Sequence, residues 1–178
     1  ADLVVVSAHK TLPAPRQSGP LLAGERFSQA DLRRAGAIYG SSSPSYPMMA
    51  ALDLCRAHML EEGAAAYQRT AEEVAALRRD FPALTAHHAP LDPTRLTLLS
   101  PHGFEAQEAL EGLGVWPEMA DGGHVVLIPT CADGVEDFAR LRQALERVEL
   151  GPCPAFPPPP HPPEMALTPR QALFSPWE

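Results

Sequence analysis

Four consecutive apolar residues, Leu3-Val4-Val5-Val6, open the hydrophobic pattern of the chain. A short β-branched run of this kind predicts a strand covered on both faces, as in a parallel sheet. A different period takes over across residues 48–81, where Leu52, Cys55, Met59, Tyr67, Ala71, Val74 and Leu77 recur mostly three or four apart. Glu61, Glu62, Glu72, Glu73, Arg78 and Arg79 fall between them. This spacing predicts a long amphipathic helix, bent near Gly63, with a packed apolar stripe and a solvated charged face. Between the run and the long helix, residues 28–37 form a shorter predicted helix capped by Ser28. Downstream the pattern alternates as strand 95–100, helix 104–113, strand 124–130 and helix 135–148, with Asp133 placed to cap the last. That order makes a small α/β layer.

The pattern fails from Pro152 onward, in a stretch that holds ten of the 21 prolines. A proline run favours extended polyproline II and cannot enter a sheet interior, so "GPCPAFPPPPHPP" reads as a stiff linker rather than as a ligand for a proline-recognising domain. Thr168-Pro169-Arg170 then carries the signals of a new helix. Alanine at residue 1, followed directly by a strand, reads as the start of a piece of a longer protein.

Charge and composition narrow the class. A net charge of -8, without a basic stripe, argues against a nucleic-acid partner. No apolar run approaches the ~20 residues that span a bilayer, and no secretory signal stands at the start, so no membrane partner is expected and a cytoplasmic location is the default. Cys55, Cys131 and Cys153 are odd in number and widely spaced, which fits reduced thiols better than a disulfide framework. His87, His88, His102 and His124 match no zinc spacing, His161 lies in the proline run, and no metal is expected.

Against this background one residue stands apart. Thirteen of the 14 basic residues are arginine, and Lys10 is the single lysine. A guanidinium stays protonated in a protein, whereas an ammonium can release its proton and attack a carbonyl carbon. Lys10 follows the predicted strand, at the edge where ligands bind in open α/β sheets. Ser7 and His9 place a hydroxyl and an imidazole within three residues of the amine. Together they suit a phosphorylated aldehyde, pyridoxal phosphate, held as a Schiff base.

These residues resemble the pyridoxal-phosphate-dependent ornithine/lysine/arginine decarboxylases of bacteria, within the aspartate-aminotransferase-like fold. The likeness rests on Ala1-Asp2 and the valine run leading into Ser7-Ala8-His9-Lys10-Thr11-Leu12-Pro13-Ala14, followed by Gln17. It rests also on Ser41-Ser42-Ser43-Pro44-Ser45-Tyr46, where that family usually reads Thr-Thr-Ser-Pro-Ser-Tyr ahead of a long helix. Weaker similarity continues through Trp116-Pro117-Glu118-Met119-Ala120-Asp121 to about Leu150. The resemblance implies decarboxylation of a basic amino acid (arginine, lysine or ornithine) to the amine and carbon dioxide. It makes Lys10 the cofactor-bearing catalytic residue, places Ser7 and His9 near the phosphate, and assigns a hydroxyl of the second motif, Ser42 first and Ser41 second, to the phosphate in the neighbouring subunit of a homodimer. Independently, hydroxyls just ahead of a helix can receive an anion together with free backbone amides. They also serve as a plain cap, with Ser45 capping and Pro47 just inside the helix.

The resemblance further divides the chain into the end of a large cofactor domain (1–47), a linking helix (48–81), a small α/β domain (82–150) and a proline-rich linker (151–178). It places the carboxylate that pairs with the pyridine nitrogen, and the ring stacked on the cofactor, upstream of Ala1, so the isolated chain is expected to be weak or inactive. Pro15 and Arg16 stand where the family commonly has leucine and threonine, and Leu22-Ala23 replaces a usual Leu-His pair. These departures bear on substrate identity. An aminotransferase on the same scaffold, or a non-catalytic α/β interaction module, remains the alternative.

Overall fold

The computed structural model describes residues 2–17, 19–86, 90–156, 161 and 164–175. The adjacent His87 and His88, and much of the proline run (157–160, 162 and 163), lie outside the described residues. The fold is mixed α/β, with two small antiparallel sheets and helices around one of them.

The first sheet corrects an expectation. Strand β1 (Leu3–Val5) pairs antiparallel with β2 (Leu21–Ala23), in the register Leu3 to Ala23 and Val5 to Leu21. All three β1 residues are exposed, Val5 by 77%, rather than covered on both faces. The apolar run reported a preference for extended backbone. It carried no information about what covers the strand, and here a two-stranded ribbon leaves both faces open. Helix α1 (Ala8–Thr11) is the turn that follows β1. Of the described residues before Gly63, only Ala8 and Cys55 are buried.

Helix α2 (Gln29–Tyr39) starts where predicted, at Ser28. The Ser28 hydroxyl accepts from the Asp31 amide at 3.2 Å while the Asp31 carboxylate accepts from the Ser28 amide at 3.3 Å, a reciprocal cap. The long amphipathic segment is helical throughout, as α3 (Tyr46–His58), a π turn (Met59–Gly63) and α4 (Ala64–Asp80). The irregularity predicted near Gly63 is that π turn. Gly63 accommodates the Met59 side chain, which a Cβ at this position would contact.

The core sits in the second half. Strands β3 (Leu96–Leu99), β4 (Met119–Ala120) and β5 (His124–Leu127) form a sheet in the order β3-β5-β4, antiparallel throughout. Leu96 pairs with Leu127 and Leu98 with Val125, so the four share one face. They join Val74 and Leu77 of α4, Ala106 and Leu110 of α5 (Gly103–Gly112), and Phe138, Leu141, Ala144 and Leu145 of α6 (Val135–Leu145) in one apolar cluster. The strand-helix-strand-helix reading therefore holds, with β4 added and each element within a few residues of its predicted ends. Asp133 does not cap α6. Its carboxylate accepts from the Thr130 amide and hydroxyl, Gly134 takes the capping position, and Asp137 accepts from the Gly134 amide at 2.9 Å. Helix α7 (Pro169–Phe174) is capped by Thr168 as its sequence signals.

Candidate active site

Helix α1 is one turn long, and the chain enters it directly from β1 through Val6 and Ser7. The Lys10 amide donates to the Ser7 carbonyl at 3.0 Å and the Leu12 amide to the Ala8 carbonyl at 2.8 Å. Ala8, 1% exposed, is the buried foot of this turn, while the Ser7 and Lys10 side chains are exposed and His9 is half-buried. Ser7 precedes the first helical residue but makes no side-chain cap, so its hydroxyl is not committed to the helix. Hydroxyl, imidazole and amine thus lie on a single turn at the carboxyl end of a strand. Further along the same connection, Gln17 adopts φ 66°, a left-handed conformation uncommon for a residue with a side chain.

The turn is held from the other side by a residue that sequence reasoning placed only in the apolar stripe. The Tyr67 phenol, on α4, donates to the carbonyl of Thr11. Burial is the main cause that raises the Tyr67 pKa to about 12, with the Cys131 thiol beside it as a further contribution, so the hydroxyl keeps the proton it donates. Its one sequence signal is a lone ring with a polar tip among the alanines of α4, which favours a polar partner once buried.

A cavity of about 600 Å³ lies behind the turn, lined by Ala8 and Leu12 of the α1 region, Leu22 of β2, and Leu52, Cys55 and Met59 on the long helix. Two charged residues at its wall, Asp53 and Arg56, pair with each other at 2.8 Å. Apart from these two residues the lining is apolar.

Ser41 and Ser42 lie on a separate loop between α2 and α3. The Ser41 hydroxyl accepts from the Ser43 amide at 3.1 Å, and Ser41, Ser42 and Ser43 are exposed. Ser45 occupies the capping position of α3 with Pro47 in its first turn, but its hydroxyl makes no capping bond; its carbonyl accepts from the Met49 amide. The structure therefore brings Ser7, His9 and Lys10 together and keeps Ser41 and Ser42 on a loop whose described hydrogen bonds are local. Among the described residues no helix is long and apolar enough to cross a membrane.

No family model matches the chain. It is 35% identical over 144 residues to the uncharacterized protein YaaO of Bacillus subtilis (strain 168), a match covering 72% of this chain and 30% of that protein. Among solved structures it is similar to the constitutive lysine decarboxylase of E. coli, with a TM-score of 0.68, 15% identity, and coverage of 82% of this chain and 28% of that one. It is similar to the same extent to the lysine decarboxylase LdcF of Francisella novicida, at 19% identity and a TM-score of 0.68. The chain spans less than a third of the length of each of these proteins. Over most of its length, then, this chain has the fold of a segment of the lysine decarboxylases.

Proposed function

We propose that this chain is part of a pyridoxal-phosphate-dependent decarboxylase of a basic amino acid, with Lys10 as the residue that carries the cofactor. The observation that supports this reading is the position of the single lysine, exposed on the turn after β1 beside His9 and a Ser7 hydroxyl that does not cap the helix. The donor set fits the group, since a primary amine meets the aldehyde while a hydroxyl and an imidazole meet the phosphate. Bound there, pyridoxal phosphate supplies a conjugated electron sink for the pair released when the bond from Cα to the carboxylate breaks.

The chain's own residues have distinct tasks in this reading. Lys10 would hold the cofactor through Nζ. Ser7 donates its hydroxyl proton to a phosphate oxygen, and His9 supplies a second donor. Tyr67 fixes the turn through Thr11, so that Nζ returns to one position. Ser42, or failing it Ser41, reaches the phosphate of a neighbouring copy in a homodimer. In the same proposal residues 1–47 close the cofactor domain, 48–81 link it to the small domain of 82–150, and 151–178 lead away from it.

The test is to incubate the protein with pyridoxal phosphate, reduce with borohydride and locate the pyridoxyl group by peptide mass spectrometry. The expected result is saturable modification of Lys10 and an absorbance band lost in Lys10→Arg. Ser7→Ala should weaken retention of pyridoxal phosphate while leaving that of unphosphorylated pyridoxal unchanged. A shift of that band on adding arginine, lysine or ornithine, which requires no turnover, would then identify the substrate. Unsaturable labelling, equal for the phosphorylated and unphosphorylated aldehydes, would overturn the assignment.

A further inference from the structure

A second cluster lies at the opposite end of the small sheet. The Cys153 Sγ stands 3.2 Å from Nε2 of His124 and 3.0 Å from the Gly123 carbonyl. Across the ring, His124 Nδ1 lies 2.9 Å and 3.1 Å from the two carboxylate oxygens of Asp121. An ionised carboxylate only accepts, so Nδ1 carries a proton, and in the neutral imidazole Nε2 turns a lone pair towards the thiol. Nucleophile, base and orienting carboxylate are thus in series.

Local structure fixes the arrangement. Asp121 also accepts the amides of Gly123 and His124, each at 2.8 Å, which closes the turn between β4 and β5 and holds the carboxylate under the imidazole. The Phe156 ring stacks on the imidazole at 5.8 Å and 11°. Gly123 lets the 153–156 segment come this close, because a Cβ there would meet the Phe156 ring at 2.9 Å and Pro154 at 3.1 Å. The thiol itself is half-buried and remains reachable. Burial is the main cause that raises its pKa, with the Asp121 charge as a further contribution, so the thiol keeps its proton and a base is needed for reaction.

The surrounding amides decide the class of chemistry. Acyl transfer requires donors aimed at a developing oxyanion. Here the Gly123 and His124 amides are spent on Asp121 and the His102 amide on the Ser100 hydroxyl, while the Ser100 amide, bonded to the Gly123 carbonyl, and the amide of Cys153 itself are turned to the Cys153 sulfur and not to a separate oxyanion position. Pro101, Pro152 and Pro154 have no amide to offer. Attack on a disulfide sulfur needs no oxyanion donor, only a base for the thiol proton and an acid for the leaving thiolate.

We propose that Cys153, with His124 as its base and Asp121 as the orienting carboxylate, is a thiol-exchange site that takes small disulfides. Sγ attacks one sulfur of R–S–S–R, the Cys153–S bond forms and the R–S–S–R bond breaks with its pair on the departing sulfur. The thiol proton passes to His124 Nε2 and from there to that sulfur, giving R–SH and a mixed disulfide at Cys153. The disulfide is the only oxidant required, and the site is independent of the Lys10 turn.

Cys131 provides an internal control, being half-buried like Cys153 but beside Tyr67 instead of an imidazole. The experiment is a time course of the protein with oxidised glutathione, quantifying the glutathionylated peptides of both cysteines. Cys153 is expected to react about tenfold or more faster than Cys131, and His124→Gln to reduce its rate by at least a similar factor with Cys131 unaffected. Asp121→Asn, which keeps an acceptor for the turn amides, should give a smaller loss and serves if His124→Gln does not fold. Equal rates at the two cysteines, or a Cys153 rate insensitive to both variants, would refute the site.

Discussion

The hydroxyl of Tyr67 is bonded to the carbonyl of Thr11, 56 positions earlier, and so ties the turn that carries Lys10 to the long helix. The bond requires a protonated phenol, and a pKa raised to about 12 keeps it so well above neutrality. Tyr67→Phe removes the donor and leaves the ring. The expected outcome is a loss of about 1 kcal/mol of stability. Hydrogen exchange should quicken at the Lys10 and Leu12 amides while β3 and β5 stay protected. Unchanged exchange in α1 would mean that the turn is held by Ala8 alone.

Leu98 is fully buried, paired with Val125 across the sheet and part of the cluster that joins α4, α5 and α6. Leu98→Ala should cost about 2–5 kcal/mol, because the surrounding helices cannot collapse fully into the vacated space. Denaturant unfolding gives the value directly. A loss below about 1 kcal/mol would show that the cluster does not govern stability.

Two glycines of α5 should respond in opposite directions. A Cβ on Gly103 would meet the Asp121 carbonyl, and would stand 2.9 Å and 3.0 Å from the His124 carbonyl and amide, all backbone atoms with little room to give. Gly103→Ala is expected to destabilise by about 1–3 kcal/mol and to displace the β4–β5 turn. At Gly112 a Cβ meets nothing within 4 Å, so Gly112→Ala should stabilise by up to about 1 kcal/mol through helix propensity. Melting temperatures of the pair provide the check, and a common sign would contradict this geometry.

What the sequence revealed follows from the range of each interaction. The long helix and α5 and α6 were legible because a period of three to four residues is a local property, and the Ser28 cap was legible because its partner Asp31 is three residues away. β4 was not, since two residues carry no period; nor was the open state of β1, which depends on what packs against it. The Lys10 turn could be read because Ser7, His9 and Lys10 are contiguous. Tyr67 with Thr11, and His124 with Cys153 29 positions later, meet only in the folded chain. Asp133 shows a subtler limit: the right residue type stood one position before the capping site, and Thr130 claimed its carboxylate.

Acid sensitivity should arise in part at Asp92. Its carboxylate accepts from the Thr94 hydroxyl at 2.7 Å and the Thr94 amide at 2.8 Å. These bonds, with smaller contributions from the Arg95 and Arg78 charges, hold its pKa below the usual carboxylate range despite some burial. Arg78 joins the same corner by donating to the carbonyls of Asp92 and Arg95. A value lower in the folded than in the unfolded chain means that folding favours the ionised form. That stability is fully present above the ordinary carboxylate pKa of about 4 and is lost as pH falls through the folded value. Asp121 acts in the same sense, chiefly through the Gly123 amide. Melting temperature should therefore fall on acidification below about pH 4. Asp92→Asn should melt lower than the parent at neutral pH and decline less steeply in acid, because the variant has no proton to take up at this position. Parallel curves for the two proteins would place the acid-sensitive carboxylates elsewhere, with Asp121→Asn as the next variant to compare.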